Sequence, residues 1–250
     1  MSTIKRSRLR KECEELVEKR LPLLKELYDA HVDTLSANSI YPDIADVFCH
    51  PDVYAFITQK PEVDLTLAHF NSMRSSLPDI FSQVRVAIAE RIIALIPASL
   101  IPAGANAHER LKLATISFKC GSDTCLSRRD LHQAPMLRYP EIISHSCATT
   151  EYNVCDEESG GMETCDGLMV VNRKLHSISW NGNSRIEFAE QAFTILQDAV
   201  RMCGRDPLTT TTDEMNVDCP LFECLTCHDD YKGQTIVPWD YLVCIMYLSY

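Results

Sequence analysis

Apolar side chains recur at three- and four-residue spacing through residues 4–34, where Leu9, Cys13, Leu16, Val17, Leu21, Leu24, Leu27 and Tyr28 make one stripe. This is the period of an α-helix with a single buried face. Pro22 lies inside the stripe and is expected to bend or divide the helix, because its ring crowds the preceding turn and it donates no hydrogen bond. The stripe covers barely three heptads, which fits a helix packed on its own domain better than a coiled coil. Beyond it the pattern breaks into short helical pieces, with Pro42 and Pro51 suited to first helical positions and Asp64 to an N-cap. A longer helix is predicted over 75–97, with Ile80, Val84, Val86, Ile88, Ile92 and Leu95 as its apolar positions. Residues 1–105 are thus expected to form a helical region, ending in the proline-bearing stretch LIPASLIPAGANA, which reads as a linker.

From about residue 111 the periodicity changes. ATISFKC (114–120) has the β-branched character of a strand, and YPEIISHSC (139–147) reads as a short helix or turn after Pro140. The acidic CDEESGGMETCDG reads as a loop, and LMVVNRKLHSISW (168–180) alternates enough to be taken as strand, followed by an Asn181-Gly182 turn. The clearest helix lies in SRIEFAEQAFTILQDAVRMCG, with Ser184 as its cap, Ile186, Phe188, Ala189, Phe193, Ile195, Leu196 and Val200 as its apolar side, and Gly204 as its end. The fold class expected is α+β, mostly α: a helical half at 1–105 and a smaller zinc-finger-like αβ half at 106–250.

Charge narrows the possible partners. The chain carries a formal net charge of −11, yet residues 1–20 hold seven Lys/Arg against four Glu, so the remainder is more acidic still. An acidic surface repels phosphate backbones at long range and disfavours nucleic-acid binding. The basic start never reaches an apolar core like that of a signal peptide, and the best apolar run, 84–105, is broken by Glu90, Arg91 and two prolines. No membrane association is expected, and a cytoplasmic or nuclear location is. In such a reducing compartment clustered thiols bind metal or sit buried more often than they pair.

Ten of the twelve cysteines lie beyond residue 119. One constellation is Cys120-x4-Cys125, nineteen residues, then His145-x-Cys147. Structural zinc takes four thiolate or imidazole donors in a tetrahedron, two of them usually from one tight turn. Three thiolates and one imidazole supply that set; the bland alternative is buried thiols beside a satisfied histidine. A second constellation opens with Cys224-x2-Cys227, whose knuckle spacing is more metal-like. Only Cys244 follows it, and no histidine lies beyond His228, so its fourth ligand is missing from the pattern. Cys155 and Cys165, flanking the acidic loop, could extend or replace ligands in the first set, and Cys219 in the second.

Catalytic templates fail. His108-Glu109 starts like a zinc-protease helix, but position 112 is Lys where the second His belongs. The deaminase pattern, a Gly-x-Ser-x-Gly elbow and a Gly-rich phosphate loop are all absent.

FKCGSDTC, YPEIISHSC, WNGNSRIEFAEQA, CGRDPLTTTTDEMN, FECLTC and PWDYLVC, in that order, together with YPDIADV at 41–47, resemble a large group of uncharacterised basidiomycete fungal proteins. The resemblance spans about residues 20–250, and many members of the group carry an F-box near the N-terminus. It implies one ligand-like set at Cys120, Cys125, His145 and Cys147 and the start of another at Cys224 and Cys227. This chain departs from the pattern in its wider first spacing, its terminal helix without histidines and its lack of an F-box. The expectation is a non-catalytic, zinc-stabilised protein-interaction module, adaptor-like in ubiquitin ligation through the resemblance. One alternative is a zinc-dependent or Cys/His enzyme, which would need an open metal position beside a carboxylate such as Glu141 or Glu223. Another is a nucleic-acid-binding regulator, for which only Lys119, Arg128, Arg129 and Arg138 gather near the cysteines.

Overall fold

The first helix, α1, runs Thr3–Val32 in a computed structural model that describes residues 3–59, 65, 67–100, 106–122, 125, 136–150, 167–229 and 233–243. Pro22 does not divide it. The proline lies on the exposed side, and the buried Val17, Leu21, Leu24 and Leu27 carry the helix past it by packing. Leu9, the first member of the predicted stripe, is instead 48% exposed.

The chain divides into two compact units, each drawn from two stretches of sequence: Met1–Ala89 with Ile143–Ser184, and Glu90–Ile142 with Arg185–Tyr250. The first is helical. α2 (Ile44–Phe48) and α3 (Pro51–Thr58) follow α1, and Pro51 does open its helix, whereas Pro42 stands one residue before the N-cap Asp43. α4 spans Leu67–Arg74 and α5 Leu77–Ala94. Leu77, Ile80, Phe81, Val84 and Ile88 bury one face of α5, and Val86 is exposed because it falls on the opposite one. Asp64 lies outside the described residues.

Arg20 shows how α1 is locked to α3. Its guanidinium is buried and donates to the carbonyls of Ile57 at 2.6 Å and Gln59 at 2.7 Å. These are carbonyls at a helix end with no partner inside the helix, so the cation both satisfies them and meets the negative end of the dipole.

Residues 168–180 are not strand. Leu168–Leu175 is a helix, α8 in chain order, closed by His176 in the left-handed conformation. Leu168, Val170 and Val171 are buried, and the helix packs on α1 and α2. That packing, which local alternation cannot reveal, overrides the β propensity of the valines. Gly167 precedes it at φ +86°, and a Cβ there would stand 2.7 Å from Val17 Cγ2. Gly167→Ala combines left-handed strain with overpacking and is expected to cost about 2–4 kcal/mol in urea unfolding.

Beyond α8 the chain returns to α2. The Asp46 carboxylate accepts the Trp180 N–H at 2.9 and 3.1 Å, and the Ser177 hydroxyl donates to Asp43. Burial holds the Asp43 carboxyl above its ordinary value, against the pull of Ser177 and of backbone amides. A group raised in the folded state stabilises the fold most below its unfolded value, and that contribution is lost as pH rises through the folded value. Asn caps as well as Asp and does not ionise. Asp43→Asn should therefore lie within about 0.5 kcal/mol of the wild type near pH ~4 and gain on it towards pH 7, read by urea titrations at both pH values.

The second unit holds both β pairs. α6 (Ala107–Arg110) precedes β1 (Phe118–Cys120), which pairs antiparallel with β2 (Ile186–Phe188) in the register Phe118↔Phe188, Lys119↔Glu187, Cys120↔Ile186. The apolar spacing predicts helix over 186–188 from a cap at Ser184. These residues pair as strand instead, and the helix begins later, as α9 (Glu190–Met202) with Ala189 at its N-cap. Gly204, at φ +70°, ends it in a Schellman turn, with Arg205 N–H on Val200 and Gly204 N–H on Arg201. α10 (Thr212–Asp218) starts with a capping box between Thr211 and Glu214, then β3 (Leu221–Asp229) pairs antiparallel with β4 (Gly233–Pro238). The core joins Ala192, Leu196, Ala199 and Val200 of α9 to Met215, Phe222, Trp239 and Val243. Arg138 stacks 4.4 Å from the Trp239 ring centroid and donates to the Ala114 carbonyl at 2.7 Å. The architecture is α+β and mostly α, as expected.

Candidate metal centre

Cys120 is the last residue of β1, and strand alternation places it. Phe118 and Cys120 are buried while Lys119 between them is exposed and pairs with Glu187. The chain then turns: Gly121 N–H donates to the Arg185 carbonyl at 2.8 Å and Cys125 N–H to the Ser122 carbonyl at 2.9 Å. Ser122 N–H points back at Cys120 Sγ, 3.4 Å away.

His145 and Cys147 come from a turn of different origin. The 3-10 helix Glu141–Ser144 leads into α7 (Ser146–Thr149), with His145 at the N-cap position. Its imidazole makes no capping bond. Burial pushes the imidazole below its ordinary value, which keeps it neutral and able to ligate. Cys147 is the second residue of α7 and is buried. The turn is fixed by backbone bonds from Ile178 to Thr149 and from Asn181 to Ala148, both 2.8 Å, and by Asn183 Nδ2 on the Cys147 carbonyl at 3.0 Å.

One ligand atom from each of Cys120, Cys125, His145 and Cys147 lies within 4.8 Å of all the others. The donors of a tetrahedral zinc site stand about 3.8 Å apart when Zn–S is about 2.3 Å, so contraction by about 1 Å closes this set on one ion. Four donors of this kind can hold a metal ion. The two residues between Cys120 and a usual knuckle partner are replaced here by four, and the Ser122–Cys125 turn absorbs the difference.

Cys224 and Cys227 lie on β3, whose backbone is strand through both, with an irregular register between Cys224 and Asp229. Their side chains lie outside the described residues, as do Cys244, Cys155 and Cys165 entirely. Cys219 is exposed at the end of α10, with φ +41°. Two supporting contacts carry no metal signal in the sequence. Asn183 reads only as part of a turn, and the Ser122 amide belongs to the backbone, which no residue type announces.

No helix among the described residues is long and apolar enough to cross a membrane. No protein-family model, curated protein or solved structure matches the chain.

Proposed function

We propose that the chain is a non-catalytic protein-interaction module held in shape by one structural zinc ion on Cys120, Cys125, His145 and Cys147. The observation that supports it is the convergence of four donors within 4.8 Å from two turns far apart in sequence. Three thiolates and an imidazole suit zinc and disfavour magnesium or calcium, which seek oxygen. Four protein donors complete a tetrahedron, whereas a catalytic zinc keeps one position for water. The partner proposed is a protein: the net charge of −11 opposes a phosphate backbone, and an adaptor role in ubiquitin ligation follows only from the resemblance to a group in which many members carry the F-box that this chain lacks. Metal analysis of protein purified without chelator tests the reading. About one zinc per chain is expected, and less than about half would sink it. Cobalt substitution should give the absorption of a tetrahedral thiolate site, and the adaptor role requires co-purification of a ubiquitin-ligase subunit.

A further inference from the structure

The three thiols of the centre differ in their access to solvent. Cys120 and Cys147 are buried, whereas Cys125 is only partly so. Oxidation of cysteine follows thiolate character and access together. A ligand thiol held as thiolate by zinc at a partly exposed position meets both conditions, and a fully enclosed one meets only the first.

Cys125 also has a partner at hand. The turn closed by Cys125 N–H on the Ser122 carbonyl brings Cys125 back towards Cys120, and their sulfurs lie within 4.8 Å. The Ser122 N–H lies 3.4 Å from Cys120 Sγ and fixes that sulfur on the same turn, where it is placed to attack an oxidised Cys125. Cys147 Sγ lies within the same 4.8 Å but stands on the other turn, where Asn183 holds the Cys147 backbone carbonyl.

We propose that the centre is a peroxide-sensitive latch: hydrogen peroxide oxidises Cys120 and Cys125 to a disulfide, and the zinc is released. This rests on the zinc reading above. In the first step Cys125 Sγ attacks one peroxide oxygen and the O–O bond breaks. Cys125 becomes a sulfenic acid, and the departing hydroxide takes a proton to become water. In the second, the Cys120 thiolate attacks Cys125 Sγ; the S–S bond forms, the S–O bond breaks, and the leaving hydroxide becomes a second water. The sulfurs together lose two electrons and the peroxide gains them. His145 and Cys147 then remain as two donors, too few to keep a structural zinc. A thiol reductant restores both sulfurs, and zinc rebinds.

The test uses the zinc-loaded full chain treated with hydrogen peroxide, a zinc-sensitive dye and peptide mass mapping under non-reducing conditions. The Cys203→Ser/Cys219→Ser double variant is run alongside to remove two of the thiols outside the centre, and the mass map follows the others. Expected is release of about one equivalent of zinc, in step with a Cys120–Cys125 disulfide, at the same rate in wild type and double variant. Dithiothreitol and added zinc should return the metal. Retention of zinc while Cys219 oxidises would overturn the proposal. So would release coupled to sulfinic Cys125, to a Cys125–Cys147 bridge or to any bridge outside the centre. Protein that purifies without zinc fails before peroxide is added, which separates failure of the zinc reading from failure of the latch and ends both.

Discussion

On the proposed zinc reading, Cys147→Ser is expected to abolish stoichiometric zinc and to lower stability by at least about 3 kcal/mol, the scale of losing a metal whose binding is coupled to folding. Cys147 is buried, and its turn is held by Asn183 and by the backbone of 178–181. A serine hydroxyl there is a poor zinc ligand and leaves two thiolates and an imidazole facing one another around an empty centre. Some of the loss would come from burying a hydroxyl, at about 1–3 kcal/mol. A chelator separates the two contributions. Excess chelator should bring the wild-type urea midpoint most of the way to that of the variant, and should leave the variant unmoved. Cys219→Ser, on an exposed thiol, should stay within about 0.5 kcal/mol of the wild type and keep its zinc. A wild-type midpoint indifferent to chelator would refute the structural role.

Trp180→Ala should be the most damaging change away from the centre. The indole is 1% exposed and among the largest fully buried side chains of the protein. Truncating such a ring costs about 3–5 kcal/mol, part lost transfer free energy and part cavity. For a chain of this size that lowers the melting temperature by roughly 10 °C. The backbone N–H survives the substitution, so its bonds to the Asp46 carboxylate can persist and the loss reports packing. Asp46→Ala does the reverse, leaving the ring in place and a buried N–H without its acceptor, for about 1–3 kcal/mol. Trp239 remains in the variant as a fluorescent reporter of the other unit, with its ring stacked by Arg138 and its Nε1–H on Asn216. Calorimetry or circular dichroism then reads the whole chain, and equal stability of Trp180→Ala and Trp180→Phe would show that the indole fills no space of consequence.

Much of the local structure is legible in the sequence because local rules produce it. The stripe from Val17 to Leu27 forms one helix, the Gly204 stop is a Schellman turn, and Asn181-Gly182 turns the chain. α10 carries a Thr-x-x-Glu capping box that apolar spacing alone does not register. The two segments whose secondary structure differs from the sequence pattern share one cause. Periodicity gives Leu168–Leu175 and Ile186–Phe188 each the other's state, because short stretches with few apolar residues fit both periods. Packing on α1 and α2 decides the first, and pairing with β1 the second.

By itself, then, the sequence marked out a candidate donor set, three thiols and an imidazole in two pairs, beside a second candidate set at Cys224, Cys227 and Cys244. It also determined that the chain would be mostly helical. Only the tertiary structure decided that residues 143–184 belong with the first helices, and that Cys120 and Cys125 stand within 4.8 Å of His145 and Cys147. The physical reason is the range of the forces involved. Periodicity, capping and turn chemistry act within a few residues, whereas the approach of segments roughly twenty residues apart is set by which apolar faces bury each other.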